Sequence, residues 1–525
     1  MACGVSNDRL YLYLILLLSA TFGNPVTKTV EDANYWRNQA QDDLNQRLSY
    51  LRNTNAAKNV IMFLGDGMGI STVTAARIYK GQLNGQTGEE AEMTFEKFPY
   101  TGFIKTYNTD QQVPDSAGTA TAFLCGVKSK AGTVGVDDNV QYSNCSTVQG
   151  AEVTSILDWS LAEGKSVGLV TTTRVTHATP AAAYAHAPRR SWEGDTSLDS
   201  TQKGCTDIAH QLIKDNPDIQ VILGGGRRFF LSKNETDPES GTDFTSYQRR
   251  DTSLVQEWIQ DKQKRNKTHV YAWNKEEFDA INPDNTDFVL GLFEPSHMQY
   301  EHFRDKTSNG EPSLQEMTVK ALEILRRNTN GYFLLVEGGR IDHGHHGTRG
   351  RLALEETVMF DKAVSSAIDM TSERDTLVVV TADHSHVFAM GGYPTRGNDI
   401  LGLVENDLAD DGMPYTSLVY GNGRVQRENL TGVNTRDIDY RQTSAVYMSS
   451  ETHAGEDIPI YARGPMAHLL TGTHEQSYIP HVMAYASCVG QNKDHCKRTL
   501  TSDSINLRHS ITLLFTLSML IISIV

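Results

Sequence analysis

Short stretches of this 525-residue sequence carry the side chains that could do chemistry, and the first is Val113–Gly126. Pro114 and Asp115 end an extended segment, and Ser116 follows where a helix is expected to begin. A hydroxyl at a helix N-terminus faces unpaired backbone N–H groups and the positive end of the helix dipole, which favour an anion there. Taken alone, the stretch is more typical of an ordinary N-cap, formed by Ser116 or Asp115. The other motifs shift the interpretation of Ser116 toward a nucleophile.

Two further stretches combine imidazoles with carboxylates in the way that metal sites do. Asp342 and His346 are four residues apart, and Asp383 and His384 are adjacent. Imidazole with carboxylate suits zinc, whereas ligand sets made only of oxygen suit magnesium or calcium. Two metal ions held by such residues would ionise Ser116, bind the attacking and leaving oxygens, and offset the charge of a phosphate. Further donors of these kinds are Asp66, Glu337 and His453.

Most of these donors follow apolar runs that predict buried parallel strands. The runs are Asn59–Leu64, Ser166–Thr171, Ile219–Leu223, Tyr332–Glu337 and Thr376–Thr381. Helical patterns occur at Glu31–Arg52, Val153–Glu163, Leu314–Arg327 and Leu352–Met370. The alternation predicts an α/β fold with a central, largely parallel, doubly wound sheet flanked by helices. Ligands bind at the carboxyl edge of such sheets, so we expect the acidic residues that follow the strands to meet there.

The composition changes between residues 391 and 450, which are rich in Gly, Asn, Asp and Tyr. Only short extended runs, such as Tyr415–Tyr420, interrupt this segment. We interpret it as a loop-rich, crown-like subdomain inserted into an α/β domain that covers residues 24–505. The strand pattern resumes near Ile458–Arg463.

Both ends of the chain have the composition of targeting signals. The apolar run Leu10–Ala20 is too short to span a membrane and precedes small residues, so residues 1–23 are predicted to be a signal peptide. At the other end, the largely apolar run Ile511–Val525 follows a polar spacer with small residues around Ser502. This layout predicts removal of residues 506–525 and a glycosylphosphatidylinositol (GPI) anchor on Ser502, at the extracellular face of the cell membrane. A short C-terminal membrane anchor is the alternative.

Cysteine usage agrees with secretion. One cysteine leaves with the signal peptide, and the odd number that remains allows at most two disulfides and one free thiol. The short separation of Cys488 and Cys496 favours one pair, and Cys145 with Cys205 is then the second. Cys125, in the apolar helix of the first motif, is expected to be the buried thiol. Sequons for N-glycosylation occur at Asn144, Asn234, Asn266 and Asn429.

The composition limits the class of partner. The net charge of −16 argues against a nucleic-acid partner. With 39% hydrophobic residues, the chain is long enough to bury a large α/β core.

Taken together, the motifs resemble those of alkaline phosphatases, over nearly the whole chain between the targeting segments. The resemblance rests on residues 115–122, 336–346, 381–386 and 451–457, and it is closest to the animal, membrane-anchored members. It implies hydrolysis of phosphate monoesters, with two zinc ions and one magnesium ion per subunit. It also implies that Ser116 becomes phosphorylated and that Arg190 clamps the phosphate with a bidentate fork.

The resemblance also assigns metal ligands. One zinc would bind Asp342, His346 and His453, the second would lie beside Ser116 on Asp66, Asp383 and His384, and magnesium would bind Asp66, Thr179 and Glu337. His177 and His343 occupy positions that tune these sites in animal members, and His386 is expected to support a metal ligand from behind.

A calcium site and a homodimer are further expectations from the resemblance. The positions of the calcium ligands in animal members match Glu239, the carbonyl of Phe293, Glu294 and Glu311. Glu311 stands where the family pattern has an aspartate. Tyr393 matches a residue that approaches the partner's site in the dimer.

Two other classes of protein share parts of this pattern. Sulfatases and phosphodiesterases have related α/β folds with metal ions at the sheet edge, but residues 114–118 do not resemble the Cys-x-Pro-x-Arg type of motif that sulfatases use. A non-catalytic surface-binding or adhesion protein that kept the fold is the third class, and the presence of every expected ligand type argues against it.

Overall fold

The computed structural model of the protein describes residues 31–198, 201, 203–250 and 252–496. The predicted signal peptide, the predicted C-terminal tail and Ser502 lie outside the described residues. Within the described part of the chain, no helix is both long and apolar enough to cross a bilayer.

The segment 52–496 is built around one ten-stranded, mostly parallel sheet. In chain order the strands are β1 (Asn59–Gly65), β2 (Tyr100–Lys105), β3 (Ser166–Arg174), β4 (Val221–Gly225), β5 (His269–Ala272), β6 (Phe288–Leu292), β7 (Tyr332–Gly338), β8 (Thr376–Ala382), β9 (Ser385–His386), β10 (Phe388–Met390), β11 (Leu418–Gly423), β12 (Ser444–Tyr447), β13 (His453–Ala454), β14 (Ile458–Arg463) and β15 (Gly472–Glu475). The order across the large sheet is β15-β2-β14-β8-β1-β7-β3-β4-β6-β5. Strand β14 runs antiparallel to both of its neighbours, and all other pairs are parallel. The predicted α/β class is confirmed.

The central strands explain why the sequence shows continuous apolar runs. Every residue of β7 and β8, and all of β1 except Asn59, is buried. Helices must therefore cover both faces of the sheet, because burial on two faces removes the alternation that a half-exposed strand would show. Each large apolar side chain buried in this way contributes roughly 1.5–3 kcal/mol to the free energy of folding.

The predicted helices are present, with boundaries set by their caps. Ser155 and Asp158 form a capping box, so the helix predicted from Val153 begins later. Ser313 forms another with Glu316 and fixes the predicted start at Leu314. The α-helices are Ala33–Ser49, Ile70–Leu83, Ser116–Cys125, Ile156–Ala162, Ala178–Ala181, Ile208–His210, Leu254–Lys264, Lys275–Asp279, Leu314–Leu325, Arg340–His346, Gly350–Asp369 and Tyr478–Ser487.

The N-terminal helix, Ala33–Ser49, is described separately from the rest of the chain. Asp32 caps it by accepting hydrogen bonds from two backbone N–H groups at 2.9 Å. Its apolar residues Trp36, Leu44 and Leu48 are at least half exposed. The prediction of a helix here is confirmed, and its stripe of apolar side chains lies on the surface.

The segment 391–450 contains long loops and the strands β11 and β12, which form a small sheet with β10 in the order β10-β11-β12. The extended run predicted at Tyr415–Tyr420 lies three residues further along, as β11, and β10 ends at Met390, just before the segment begins. Tyr393 is 95% exposed.

The structure joins both predicted cysteine pairs. Cys145 bonds to Cys205 and Cys488 bonds to Cys496, while Cys125 is a free, buried thiol. Three of the sequon asparagines are exposed and the fourth, Asn144, is half-buried; the exposed three are Asn234, Asn266 and Asn429.

Candidate active site

Ser116 is the first residue of the helix Ser116–Cys125, which is buried along its whole length. The N-cap is Asp115, whose carboxylate accepts hydrogen bonds from two N–H groups of the first turn at 3.1 and 3.3 Å. The structure therefore selects Asp115 from the two candidate caps, and the Ser116 hydroxyl is left for another role. Ser116 Oγ lies 3.2 Å from His384 Nε2.

Asp342, His346 and His453 come together in a tight triangle. Asp342 Oδ1 lies 3.3 Å from Nε2 of both histidines, and the two Nε2 atoms are 3.1 Å apart. Asp342 and His346 project from the helix Arg340–His346, and His453 opens β13. The segment 391–450 therefore returns the chain to the same edge of the sheet.

Backbone carbonyls fix the tautomers of the two histidines in this triangle. His346 Nδ1 donates to the Glu451 carbonyl at 2.6 Å, and His453 Nδ1 donates to the Pro114 carbonyl at 2.8 Å. Each Nε2 then presents a lone pair, and two lone pairs cannot hydrogen-bond to each other. Ligands of tetrahedral zinc, at about 2.0–2.1 Å from the ion, lie roughly 3.3 Å apart, which is close to the spacing of the triangle.

His386 lies between the carboxylates of Asp342 and Glu451 and orients that of Asp342. Its Nε2 is 2.9 Å from Asp342 Oδ1 and its Nδ1 is 2.6 Å from Glu451 Oε2. Burial lowers the pKa of His386, but the two carboxylates outweigh burial and raise this pKa to about 10. Burial likewise raises the pKa of Asp342, but the charge of His346, and then the hydrogen bond from His386, hold it well below its usual value.

Asp66, Asp383 and His384 form a second group, which follows β1 and β8. His384 Nε2 is 3.1 Å from Asp383 Oδ2 and 3.6 Å from Asp66 Oδ1, and all three side chains are fully buried. Asp383 Oδ2 and both carboxylate oxygens of Asp66 have no hydrogen-bond partner among the described residues. Burial, and then repulsion from neighbouring carboxylates, raises the pKa of Asp66 well above its usual value.

Glu337, at the end of β7, adds a third carboxylate beside Asp66. One donor atom from each of Asp66, Glu337 and His177 lies within 4.8 Å of the others. Glu337 Oε1 and Thr179 Oγ1 are buried and have no hydrogen-bond partner in the described part of the chain. Burial raises the pKa of Glu337 to about 7, although hydrogen bonds from neighbouring threonine hydroxyls oppose this shift.

Arg190 connects these groups to the nucleophile motif. Its Nη1 donates to Asp115 Oδ2 at 3.1 Å and its Nη2 donates to His177 Nε2 at 3.0 Å. The side chain is 27% exposed, so an anion that enters from solvent can reach the guanidinium. The guanidinium of Arg190 is therefore held by Asp115, the residue that precedes Ser116 in the sequence.

The predicted calcium ligands also lie near one another. Gln299 bridges two of them, because its N–H donates to Glu311 Oε1 at 2.8 Å and its Nε2 donates to Glu294 Oε1 at 3.1 Å. Burial, and then repulsion from Glu239, raises the pKa of Glu294 to about 7, while burial, and then repulsion from Glu294, raises that of Glu311 to about 9. Glu239 accepts a hydrogen bond from Arg227 Nη2 at 2.7 Å.

The sequence interpretation missed two residues at the site. Glu451 contacts His386 through its carboxylate and His346 through its carbonyl, as described above. His297 packs against His177 and His343, with ring centroids 5.1 and 4.3 Å away. The only sequence signal for His297 is its place five residues after the end of β6, at the edge where ligands bind.

Comparison with known proteins identifies the family to which this protein belongs. A buried serine, imidazoles and unpaired carboxylates at the carboxyl edge of a parallel sheet are the groups that α/β metallohydrolases use. Residues 57–489 match the family model described as alkaline phosphatase. The chain belongs to the alkaline phosphatase family and is a phosphatase.

Its relatives include animal enzymes at high identity. Rat (Rattus norvegicus) tissue-nonspecific alkaline phosphatase is 52% identical over 496 residues, covering 92% of this chain and 94% of the rat protein. The alkaline phosphatase of Gadus morhua is 52% identical over 473 residues, covering 88% of this chain and 98% of the other.

Solved structures agree on the fold. The alkaline phosphatase of the Antarctic bacterium TAB5 superposes with a TM-score of 0.59 at 23% identity, covering 83% of this chain and 100% of the other. The enzyme of Thermus thermophilus gives a TM-score of 0.59 at 22% identity, covering 83% of this chain and 92% of the other.

Proposed function

We propose that this phosphatase hydrolyses phosphate monoesters in two steps, through a phosphoserine on Ser116. The observation that carries the proposal is the Ser116 hydroxyl, which is buried at a helix start, spared from capping by Asp115, and 3.2 Å from His384 Nε2. No other hydroxyl of this helix has that environment, because those of Thr119 and Thr121 donate to backbone carbonyls.

The donor sets fit metal ions. Five buried oxygen atoms without hydrogen-bond partners in the described chain face one region: both of Asp66 and one each of Thr179, Glu337 and Asp383. Buried oxygens in this state are costly unless a cation binds them. We assign one zinc to Asp342, His346 and His453, a second to Asp66, Asp383 and His384, and magnesium to Asp66, Thr179 and Glu337. Magnesium occupies a site called M3 in variants of the TAB5 enzyme.

When bound, such ions lower the pKa of the serine hydroxyl and offset the charge of the phosphate. In the first step Ser116 Oγ forms a bond to phosphorus, the bond to the ester oxygen breaks, and the alcohol leaves. In the second step water forms a bond to phosphorus, the bond to Ser116 Oγ breaks, and inorganic phosphate leaves. Arg190 orients the phosphate through the guanidinium that Asp115 and His177 hold in place.

A turnover assay tests the reaction class. We expect the purified, zinc- and magnesium-loaded protein to release phosphate from an aryl phosphate at least about 10³-fold faster than it cleaves an aryl sulfate or a phosphodiester, since Arg190 and the metal ions match a dianionic phosphate. Equal or faster turnover of the sulfate or the diester would overturn the proposal, and absence of all three activities would favour a binding protein.

We also propose a calcium ion on Glu239, the Phe293 carbonyl, Glu294 and Glu311. The support is electrostatic: Glu311 Oε2 is buried without a hydrogen-bond partner among the described residues, and Glu294 raises its pKa further. Oxygen ligands of this kind suit calcium. The glutamate at 311 reaches the cluster in place of the shorter aspartate of the family pattern.

Attachment to the outer face of the cell membrane and homodimer formation are further parts of the proposal. The support for a dimer is the exposed apolar surface of the segment 391–450, where Tyr393, Val446 and Tyr447 are between 59% and 95% exposed. Such patches often mark protein interfaces.

We expect phosphatidylinositol-specific phospholipase C to release active enzyme from cells that express the full chain. The reason is the spacer-plus-tail layout from Thr501 to Val525. A chain truncated after residue 496 is the control, because it should be secreted without phospholipase. Failure of release, together with recovery of a peptide from Leu513–Met519 in the mature protein, would show a simple membrane anchor instead.

A further inference from the structure

Three histidines form a cluster beside the proposed magnesium ligands. The proposed mechanism gives a role to only one of them, His177. The histidine cluster consists of His177, His297 and His343, and one ring nitrogen from each lies within 4.8 Å of the other two. The rings of His297 and His343 are the closest pair, with centroids 4.3 Å apart. His177 is buried, whereas His297 and His343 are half-buried, so the cluster faces solvent on the side of these two rings.

Each ring of the histidine cluster accepts a hydrogen bond from a different arginine. Arg190 Nη2 is 3.0 Å from His177 Nε2, Arg340 Nη1 is 3.0 Å from His343 Nδ1, and Arg174 Nη1 contacts His297 Nε2. A ring nitrogen that accepts from a guanidinium carries no proton, so in a neutral imidazole the other nitrogen is an N–H donor. The three rings therefore offer donors to a ligand.

The positive charge around the cluster is only partly compensated. Arg174 pairs with Glu193 through two contacts of 2.7 Å, and Arg190 pairs with Asp115. Arg340 forms no ion pair with any carboxylate in the described part of the chain and stacks over the Tyr300 ring at 3.9 Å. One guanidinium at the cluster thus has no carboxylate in direct contact, although it attracts the buried Glu356 carboxylate from further away.

The cluster also contains buried hydrogen-bond donors that have no acceptor in the described part of the chain. His177 Nδ1, His297 Nδ1 and Arg340 Nε are all buried and have no hydrogen-bond partner among the described residues. A buried donor without an acceptor costs about 1–3 kcal/mol, so three of them in one cluster favour binding of an acceptor. A metal cation is disfavoured, since it would need the lone pairs that the arginines occupy and would face their charges.

We propose that the histidine cluster and Arg340 form a second anion site, which binds a second anionic group of a substrate whose scissile phosphate lies at Ser116. The inference rests on the proposed function, because Arg190 joins the two sites by contacting both Asp115 and His177. The ligand class is an oxyanion, and its source is an organic phosphate that carries a further phosphate or carboxylate. A free phosphate ion has the same chemistry and is distinguished by the experiment.

The experiment compares propyl phosphate with the bisphosphates of ethanediol, propanediol and butanediol. The measured quantity is the ratio of kcat/KM for the best bisphosphate to kcat/KM for propyl phosphate, in the metal-loaded enzyme. We expect this ratio to fall about tenfold in His297→Ala and in Arg340→Gln, which is the usual loss for one hydrogen bond to a charged group. His297→Gln keeps an N–H donor and should retain an intermediate ratio. His302→Ala, a half-buried histidine that pairs with Glu355, is the matched control and should leave the ratio unchanged.

Each alternative result is decisive. A ratio that stays at the wild-type value in His297→Ala, His297→Gln and Arg340→Gln overturns the proposal. A raised inhibition constant for inorganic phosphate with an unchanged ratio also overturns it, because the site then takes a free anion. If the wild-type enzyme does not hydrolyse propyl phosphate, the proposed function itself is wrong; if it hydrolyses propyl phosphate but does not prefer any bisphosphate, only the second anion site is wrong.

Discussion

The Ser116→Ala variant is expected to form no phosphoenzyme and to lose at least about 10³-fold in turnover of an aryl phosphate. The hydroxyl supplies the atom that bonds to phosphorus, and no neighbouring group replaces it. Removal of the hydroxyl costs little stability, since it makes one hydrogen bond, of 3.2 Å to His384, and the helix is capped by Asp115 instead. We expect the free energy of unfolding to change by about 1 kcal/mol or less. Residual turnover through direct attack of water on the substrate is compatible with the mechanism.

Acid quenching with labelled phosphate, followed by peptide mapping, measures the phosphoenzyme, and a thermal melt measures stability. Thr119→Val is the matched control, because Thr119 is buried in the same helix but its hydroxyl donates to backbone carbonyls. This control should still be labelled on Ser116. Full turnover of Ser116→Ala with label on another residue would show that the nucleophile lies elsewhere.

The parts of the fold that the sequence predicted are those where burial acts on both faces of a strand. The strands β1, β7 and β8 are uniformly apolar, so their positions are visible without tertiary information. The strands β2, β5 and β15, near the margins of the sheet, were not predicted, because their exposed or half-buried residues break the apolar run. Strand β6 was also missed, although all of its residues are buried. The direction of β14 was also not predicted, since antiparallel pairing with β8 and β2 depends on how the segment 391–450 returns to the sheet.

The residues of the site also divide into those that the sequence could predict and those that it could not. Residues that directly follow a strand, such as Asp66 and Asp383, could be grouped from the sequence because parallel strands end at one edge. Contacts that join distant segments could not, and His453 with the Pro114 carbonyl, 339 residues away, is one of them. Glu451 was missed for a further reason. Its contact with His346 is made by the backbone carbonyl, which any residue type could supply.

The His453→Ala variant is expected to lose one zinc ion while the other remains bound. The triangle of Asp342, His346 and His453 would be reduced to two ligands, fewer than the three protein ligands usual in catalytic zinc sites. The second group, on Asp383 and His384, keeps all its side chains. We expect turnover to fall by about 10²-fold or more, and excess zinc to restore part of it, since Asp342 and His346 still offer donors.

Stability should change much less than turnover in this variant, which separates loss of a ligand from loss of the fold. His453 keeps 14% of its side chain exposed and makes one hydrogen bond to the Pro114 carbonyl, so its removal leaves no large cavity. His474→Ala is the matched control: His474 is also half-buried and bonds to a backbone carbonyl, that of Thr471, but lies outside the triangle. Zinc content by mass spectrometry, initial rates and thermal melts are measured on both variants. Wild-type zinc content and turnover in His453→Ala would show that the third ligand lies elsewhere, and an equal loss in His474→Ala would show that the effect is not specific to the triangle.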